Sequence, residues 1–269
     1  MNNEKSTLEL NKKIYDFWQQ DFMQTKQPED YHFYLPGFLN ELHKSKLTII
    51  GCNPSLNKDG YKSCFRGTPY ENINFISKIS RAENRRFSEN LSFNIKEIQE
   101  IEKYIGIKHP YVGKLRKIAK DIGIHDFEND VTVLDLFFFR DTNQKNIMKR
   151  IKQRIPKTRP VQYILSTFAL KQIKIAMEAL VISNPDIIFI PNAFASNIFI
   201  EYNQDKITSK QIDDLKFYAF KLNGKCIPIF FSSMLSGQRA LDTFSLERLV
   251  WDMSKVLGKI RNNVFQINQ

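Results

Sequence analysis

Short, uninterrupted apolar runs are the feature that most constrains how this 269-residue chain can fold. Runs without polar alternation are typical of strands that are covered on both faces. Helical apolar spacing lies between the runs, and strands separated by helices predict a mainly parallel sheet with helices on both sides. The four clearest runs begin at Leu47, Val131, Asp186 and Ile227.

We therefore predict an α/β fold: a single three-layer domain, residues 1–269, with a central, mainly parallel four-stranded sheet flanked by helices. Residues 1 to about 45 show mostly helical spacing and would form an N-terminal helical extension. A closing helix is predicted over 245–257, with Ser245 as its N-cap. Residues 56–68 are polar and contain two glycines, so we predict a loop there.

The charge balance gives the first indication of a partner. Forty Lys and Arg against 29 Asp and Glu leave a net charge of +11, which favours polyanions such as DNA. An A/T-rich genome, which raises the content of Lys, Ile and Asn, would produce the same excess without that function. The segment Lys145–Arg159 holds seven basic residues and no acidic one. It is either a DNA contact, through residues such as Lys149 and Arg150, or a solvated helix face.

Several classes of protein are disfavoured by the sequence. No apolar run reaches about 18 residues, and the N-terminus lacks an apolar signal core, so we expect a cytoplasmic protein without membrane contact. The three cysteines show no C-x-x-C pair, which argues against disulfides, a zinc site or an iron–sulfur cluster. We expect no metal, no cofactor and no obligate protein partner.

Ligand sites in parallel α/β sheets lie beyond the carboxyl ends of the strands. The first such loop, Gly51-Cys-Asn-Pro-Ser55, can aim backbone N–H groups and the Asn53 side chain into a cleft, or it can simply reverse the chain. Phe65 lies 12 residues after Asn53 and is either a stacking surface for a planar ligand or a core residue.

The run GCNPSLNKDGYKSCF resembles the first motif of the uracil-DNA glycosylase superfamily, most closely that of its mismatch-specific branch. Gly60 and Phe65 lie nine and fourteen residues after Gly51, as in that motif. The resemblance implies a monofunctional DNA glycosylase, which flips a base and hydrolyses its N-glycosidic bond. It implies that Asn53 positions the attacking water and that Phe65 stacks on the base, with Cys52 beside them in the base pocket.

Two later loops resemble the family's other motifs. Asp135-Leu-Phe-Phe-Phe-Arg140 resembles the end of the second strand, and Phe231-Ser-Ser-Met-Leu-Ser236 resembles the last motif. The resemblance implies that Leu235 is the wedge which fills the gap left by the base. It also implies that Ser233 and Ser236 lie near the DNA phosphates. Gln238 and Arg239 are close to this wedge in sequence and could contact the opposite DNA strand. The family's His or Asn at the start of the last motif is Phe231 here, so electrophilic help to the leaving base is absent.

Two side chains bear on which base is bound. Asp135 is acceptor-only when ionised, so it would accept from the N4 amino group of cytosine and oppose O4 of uracil. Ser55 stands where strict uracil enzymes carry a bulky Tyr that blocks a 5-methyl group. Together they predict a 5-modified cytosine, a kind of base found in phage DNA, and hence antiviral defence.

Other interpretations of the same residues stay open. Asp135 could instead pair with Arg140 or cap a turn. The chain could be a uracil or thymine mismatch enzyme acting in DNA repair, or a non-catalytic DNA-binding protein of the same fold.

Overall fold

A computed structural model of the protein describes residues 3–24, 35–55, 58–80, 85–151, 165–212, 215–235 and 240–262. Eleven helices and six strands lie within these ranges. The helices are α1 (Asn3–Gln24), α2 (Lys58–Phe65), α3 (Phe75–Ser80), α4 (Arg85–Glu89), α5 (Leu91–Lys108), α6 (Pro110–Asp121), α7 (Phe127–Asp130), α8 (Gln144–Ile151), α9 (Thr167–Ser183), α10 (Ala193–Tyr202) and α11 (Thr243–Arg261). The strands are β1 (Leu47–Gly51), β2 (Val131–Asp135), β3 (Ile187–Ile190), β4 (Ile207–Ile212), β5 (Leu215–Leu222) and β6 (Lys225–Phe231).

The six strands form one mixed sheet in the order β2-β1-β3-β6-β5-β4. Strand β3 is parallel to both of its neighbours, β1 and β6, whereas β5 runs antiparallel to both of its neighbours, β6 and β4. The α/β class with flanking helices is therefore confirmed, but the sheet is six-stranded and mixed rather than four-stranded and mainly parallel. The four strands predicted from the apolar runs are contiguous, and the two additional strands lie at one edge.

A tight turn explains the antiparallel edge. Asn223 and Gly224 join β5 to β6 and have φ values of 49° and 79°. Two consecutive residues with positive φ are the requirement of a type I′ turn, which connects antiparallel strands. Strand β4 escaped prediction because its central residues, Thr-Ser-Lys-Gln, form no apolar run.

The chain divides into two compact units, each assembled from separate stretches of sequence. The first unit contains the described residues of 1–41, 53–109 and 135–179, and the second contains those of 42–52, 110–134 and 180–269. The second unit contains every residue of the sheet except Asp135, which ends β2. The prediction of one domain with an extension over residues 1 to about 45 stays a prediction.

The core of the second unit lies on both faces of the sheet. Helices α6 and α11 cover one face, where Phe217 and Phe230 pack among residues such as Leu115, Met253 and Val256. Phe220 points to the other face, since side chains alternate along a strand, and meets Phe199 of α10 at 5.2 Å between ring centroids. No helix within the described ranges is long and apolar enough to cross a membrane.

Three local predictions need correction. Residues 58–65 are helical rather than a loop, because buried Tyr61, Cys64 and Phe65 give them one apolar face. Asp242, not Ser245, is the N-cap of α11, and its carboxylate accepts from the Ser245 N–H at 2.9 Å.

The third correction concerns the segment that follows residue 34, which is buried without being helical. The side chain of Asn11 satisfies both backbone groups of Leu39 at 2.8 and 3.0 Å, so this irregular stretch does not need the hydrogen bonds of a helix. Asn11 itself is 1% exposed. The predicted helical spacing therefore holds for α1 and fails over residues 35–45.

Position 37 has to be a glycine because the ring of Pro54 packs closely against its backbone. A Cβ at this position would lie 2.5 Å from Cγ of Pro54, a rigid ring that cannot swing aside. We expect Gly37→Ala to lower the free energy of unfolding by about 1–3 kcal/mol, measured by urea denaturation, through forced overpacking. Gly106→Ala on α5 is the matched control: nothing lies within 4 Å of its Cβ, so it should raise stability by about 0.5–1 kcal/mol. Equal effects of the two variants would contradict the packing argument.

Candidate functional site

The Asn53 side chain is held by backbone carbonyls in the loop that follows β1. Its Nδ2 donates to the carbonyl oxygens of Pro54, Phe139 and Asp141 at 3.0, 3.2 and 2.9 Å. Carbonyls only accept, so the nitrogen must face them, and this fixes the orientation of the amide. The Oδ1 atom is consequently turned away, and none of the described residues donates a hydrogen bond to it.

The segment that supplies two of those carbonyls, residues 136–141, is itself anchored. The Phe138 N–H donates to Gln172 Oε1 at 2.7 Å, and the Phe138 carbonyl accepts from Gly37 N at 2.8 Å. The Asp141 N–H donates to the Pro54 carbonyl at 3.2 Å. Asn53 therefore rests on a backbone platform that is held in place by hydrogen bonds of its own, which is what a rigid site needs.

Arg140 is the buried ionic centre of this platform. Its side chain is 3% exposed and forms an ion pair with Glu102 of α5, whose side chain is 16% exposed. The guanidinium also donates to the Pro36 carbonyl at 3.1 Å and to Tyr61 Oη at 3.4 Å. Its central carbon lies 5.5 Å from the centroid of the Phe75 ring. Arg140 thereby connects α5, α2 and the segment after β2.

Asp135 ends β2 within reach of this ionic centre. Burial raises the pKa of its carboxyl to about 7; the positive charge of Arg140 acts in the opposite direction, and Glu102 adds to the rise. The structure contains no direct hydrogen bond between Asp135 and Arg140 among its described residues. Asp135 is therefore a partly exposed residue whose carboxyl has a raised pKa, a property that is frequent at functional sites.

Sequence reasoning missed three members of this cluster. Glu102 and Tyr61 lie 38 and 79 residues from Arg140, and no local spacing marks them. Asp141 is 3% exposed, burial raises the pKa of its carboxyl, and its Oδ1 accepts from Asn143 N at 2.7 Å. The one available signal was the adjacency of Arg140 and Asp141 at the end of an apolar run.

The other first-motif residues lie as follows. Phe65 is 2% exposed, and its ring meets the edge of Phe75 at 5.8 Å, so it is a core residue with no open face. A base could stack on it only after neighbouring side chains move, and that role stays a prediction. Ser55 is exposed, and its carbonyl accepts from the Tyr61 hydroxyl. Cys52 is partly buried and belongs to the second unit.

Residues of the last motif belong to the second unit. Leu235 is 6% exposed and packs in that unit's core, and its carbonyl accepts from Lys114 Nζ at 2.9 Å. A wedge must protrude, and the protruding apolar side chain here is Met234, which is 40% exposed. Ser233 is partly buried, and Phe231 meets the edge of Tyr218 at 5.6 Å. Three predicted contacts lie outside the described residues: Ser236, Gln238 and Arg239.

The basic segment is described only as far as residue 151. Lys149 on α8 is exposed, whereas the Arg150 guanidinium lies 5.6 and 6.0 Å from the ring centroids of Phe168 and Phe139. Lys149 is thus available to a phosphate, and Arg150 packs on aromatic rings of its own unit. The basic residues from Lys152 onwards lie outside the described ranges.

No family model and no curated protein sequence matches this chain. Among the described residues, no group of three or more His, Cys, Asp or Glu side chains is arranged to hold a metal ion.

The buried ion pair generates a stability prediction. Glu102→Ala would leave the Arg140 guanidinium buried without its carboxylate, so we expect a loss of about 3–5 kcal/mol of unfolding free energy in urea. Glu100→Ala on the same helix is the matched control, because its pair with Lys103 is exposed and contributes under about 1 kcal/mol. The pair would be unimportant if both variants unfolded at the same urea concentration.

Asp135 generates a pH prediction. Between about pH 4 and pH 7 the native state retains a proton that the unfolded chain has released, so stability falls as pH rises through this window. An asparagine side chain cannot ionise, so we expect Asp135→Asn to gain stability over the natural protein as pH rises through this window. The measurement is urea denaturation at several pH values. Asp126→Asn should change stability in the opposite direction. Hydrogen bonds from Asn129 lower the pKa of Asp126, so the natural carboxylate stabilises the folded state above about pH 4, and the variant loses that contribution.

Proposed function

We propose that this protein is a monofunctional DNA glycosylase, which flips a base out of DNA and hydrolyses its N-glycosidic bond to leave an abasic site. We further propose a 5-modified cytosine as its base. The observation that carries the proposal is the Asn53 amide, whose nitrogen is held by three carbonyls and whose oxygen is turned away from them. The resemblance of this loop to the first glycosylase motif supports the same function.

The fixed amide has a specific use in base excision. As the bond between C1′ and the base nitrogen breaks, its electron pair leaves with the base and positive charge develops on the sugar. A water then bonds to C1′ and releases a proton to solvent or base. Asn53 Oδ1 accepts a hydrogen bond from that water and holds it in line. An amide that cannot rotate gives this orientation without reorganisation during the reaction.

Asp135 would read the base. An ionised carboxylate accepts from the N4 amino group of cytosine and repels O4 of uracil. With a pKa of about 7, the carboxyl is mostly ionised only above neutral pH, so the preference for cytosine should be clearest there. Exposed Ser55 leaves room for a substituent at C5, and a required substituent would spare ordinary cytosine. Such specificity suits a defence against phage DNA.

The remaining features support binding of a DNA backbone. The chain carries a net charge of +11, and Lys149 is exposed on α8. In this proposal β2, β1, β3 and β6 correspond to the four-stranded sheet of the glycosylase fold, and the hairpin β5–β4 is an addition at its edge. Met234 rather than Leu235 would be the apolar side chain that enters the helix.

A non-catalytic DNA-binding protein is the second candidate. Phe231 favours it, because the ring packs edge-on against Tyr218 where the family places a polar group that assists departure of the base. A protein with this defect would bind DNA and leave every base in place. A uracil or thymine mismatch enzyme is the third, and Asp135 in its protonated state favours it, since an O–H can donate to O4.

The test is an alkali-cleavage assay above pH 7 on duplexes that carry uracil, mismatched thymine, cytosine, 5-hydroxymethylcytosine or its glucosylated form. We expect abasic sites only at a 5-modified cytosine. Asn53→Ala should lower the rate by about 100- to 10,000-fold, the range for groups that orient and activate a reactant. Asp135→Asn should move the preference towards the uracil duplex.

Two controls keep the assay interpretable. Asn90→Ala removes an exposed amide of the first unit that makes no capping hydrogen bond, so its rate should equal that of the natural protein. Circular dichroism checks that Asn53→Ala remains folded. Salt-sensitive binding to every duplex with no abasic site on any of them would establish the non-catalytic candidate instead.

A further inference from the structure

The closing helix α11 has two chemically different faces. One face packs into the core of the second unit through Leu246, Leu249, Val250, Met253, Val256, Leu257 and Ile260. The opposite face carries exposed residues spaced by four, three and four positions, which places them in a single line along the helix. We call this line the aromatic–basic stripe: Phe244, Arg248, Trp251 and Lys255.

The rings of the stripe are unusually accessible. Phe244 is 83% exposed and Trp251 is 45% exposed, whereas the other tryptophan of the chain, Trp18, is 6% exposed. The core already holds the apolar face of α11, so burial in the second unit does not explain two large rings on the outer face. Seven residues of helix separate them by about 10 Å, three times the 3.4 Å rise per nucleotide of a stacked strand.

Cations flank the exposed indole on both sides along the helix. The Arg248 guanidinium lies 4.9 Å, and the Lys255 ammonium 5.5 Å, from the centroid of the Trp251 ring. Two acids lie on the same part of the helix. Asp252 contacts Arg248 Nε at 3.3 Å, and Glu247 is exposed beside the stripe. Asp252 engages Nε, and no hydrogen-bond acceptor among the described residues contacts the terminal nitrogens of the guanidinium.

We infer that the aromatic–basic stripe binds single-stranded nucleic acid, with the two rings stacked on unpaired bases and the two cations placed at phosphates. Bases stack on exposed aromatic rings regardless of sequence, and basic side chains between the rings supply the backbone attraction. The net charge of +11 acts in the same direction. The inference goes beyond the proposed function, because it uses a surface of the second unit and no residue of the Asn53 site.

A membrane surface fits this stripe less well. Interfacial helices bury a broad apolar face in the lipid, and here the broad apolar face of α11 is packed in the core. Only two rings remain outside on the described part of this helix, separated by Arg248. Such a line offers flat surfaces and point charges, which are the elements of base stacking and phosphate contact.

The test is binding of an oligothymidine of about 12 nucleotides to the full chain. Stacking should quench the fluorescence of exposed Trp251, and the affinity should fall as salt is raised. Fluorescence anisotropy of a labelled oligonucleotide then compares variants. We expect Phe244→Ala and Trp251→Ala each to weaken binding by about five- to a hundredfold, and Trp251→Phe to weaken it much less. Lys255→Gln should reduce the salt slope by about 0.7.

Matched variants make the result specific. Phe93→Ala removes a ring that is 70% exposed on α5, and Lys120→Gln removes an exposed ammonium on α6; neither should change the affinity or the salt slope. Wild-type affinity in both Phe244→Ala and Trp251→Ala would overturn the inference. Binding of anionic phosphatidylserine vesicles without oligonucleotide binding would also overturn it. Because Asn53→Ala should bind the oligonucleotide normally, failure of the excision assay and failure of this one are distinguishable.

Discussion

A single buried cation, the Arg140 guanidinium, governs the organisation of the first unit. Removing a guanidinium from water costs several kcal/mol, and its surroundings offset that cost with the Glu102 carboxylate, the Pro36 carbonyl, the Tyr61 hydroxyl and the Phe75 ring. These partners come from four separate stretches of chain, so satisfying one charge fixes their relative positions. The neighbouring carbonyls of residues 139 and 141 are thereby set in the geometry that Asn53 needs.

Much of the sheet was predictable because strands that are buried on both faces are uninterrupted apolar runs in the sequence. Strands β1, β2, β3 and β6 are largely apolar, and each was anticipated within a few residues. The tight turn between β5 and β6 was not anticipated, although Asn223-Gly224 is the dipeptide that a type I′ turn requires. Helix α2 was hidden because its polar residues and glycine outnumber the three side chains that it buries.

The site was predictable only in part. Strand ends direct attention to Asn53 and Asp135, and both lie in the first unit. Their surroundings were not visible in sequence, because an ion pair between residues 38 positions apart leaves no periodic pattern. Burial of Phe65 and Leu235 could not be separated from a functional role either, since an apolar residue in a segment predicted to be a loop fits both descriptions equally well. Tertiary packing decides that question.

The strand order has a consequence for how the protein folds during synthesis. Strand β6, the last to be made, lies between β3 and β5 near the centre of the sheet. Until residue 231 has left the ribosome, the apolar strand β3 lacks one of its two hydrogen-bonding neighbours. Strand β1 likewise lacks its first neighbour, β2, until residue 135 has been made. Long-range pairing of this kind is slow and leaves strand edges open to other chains. The nascent chain is therefore most prone to aggregation just before β6, which follows the Asn223-Gly224 turn, pairs with β3 and β5 and completes the sheet.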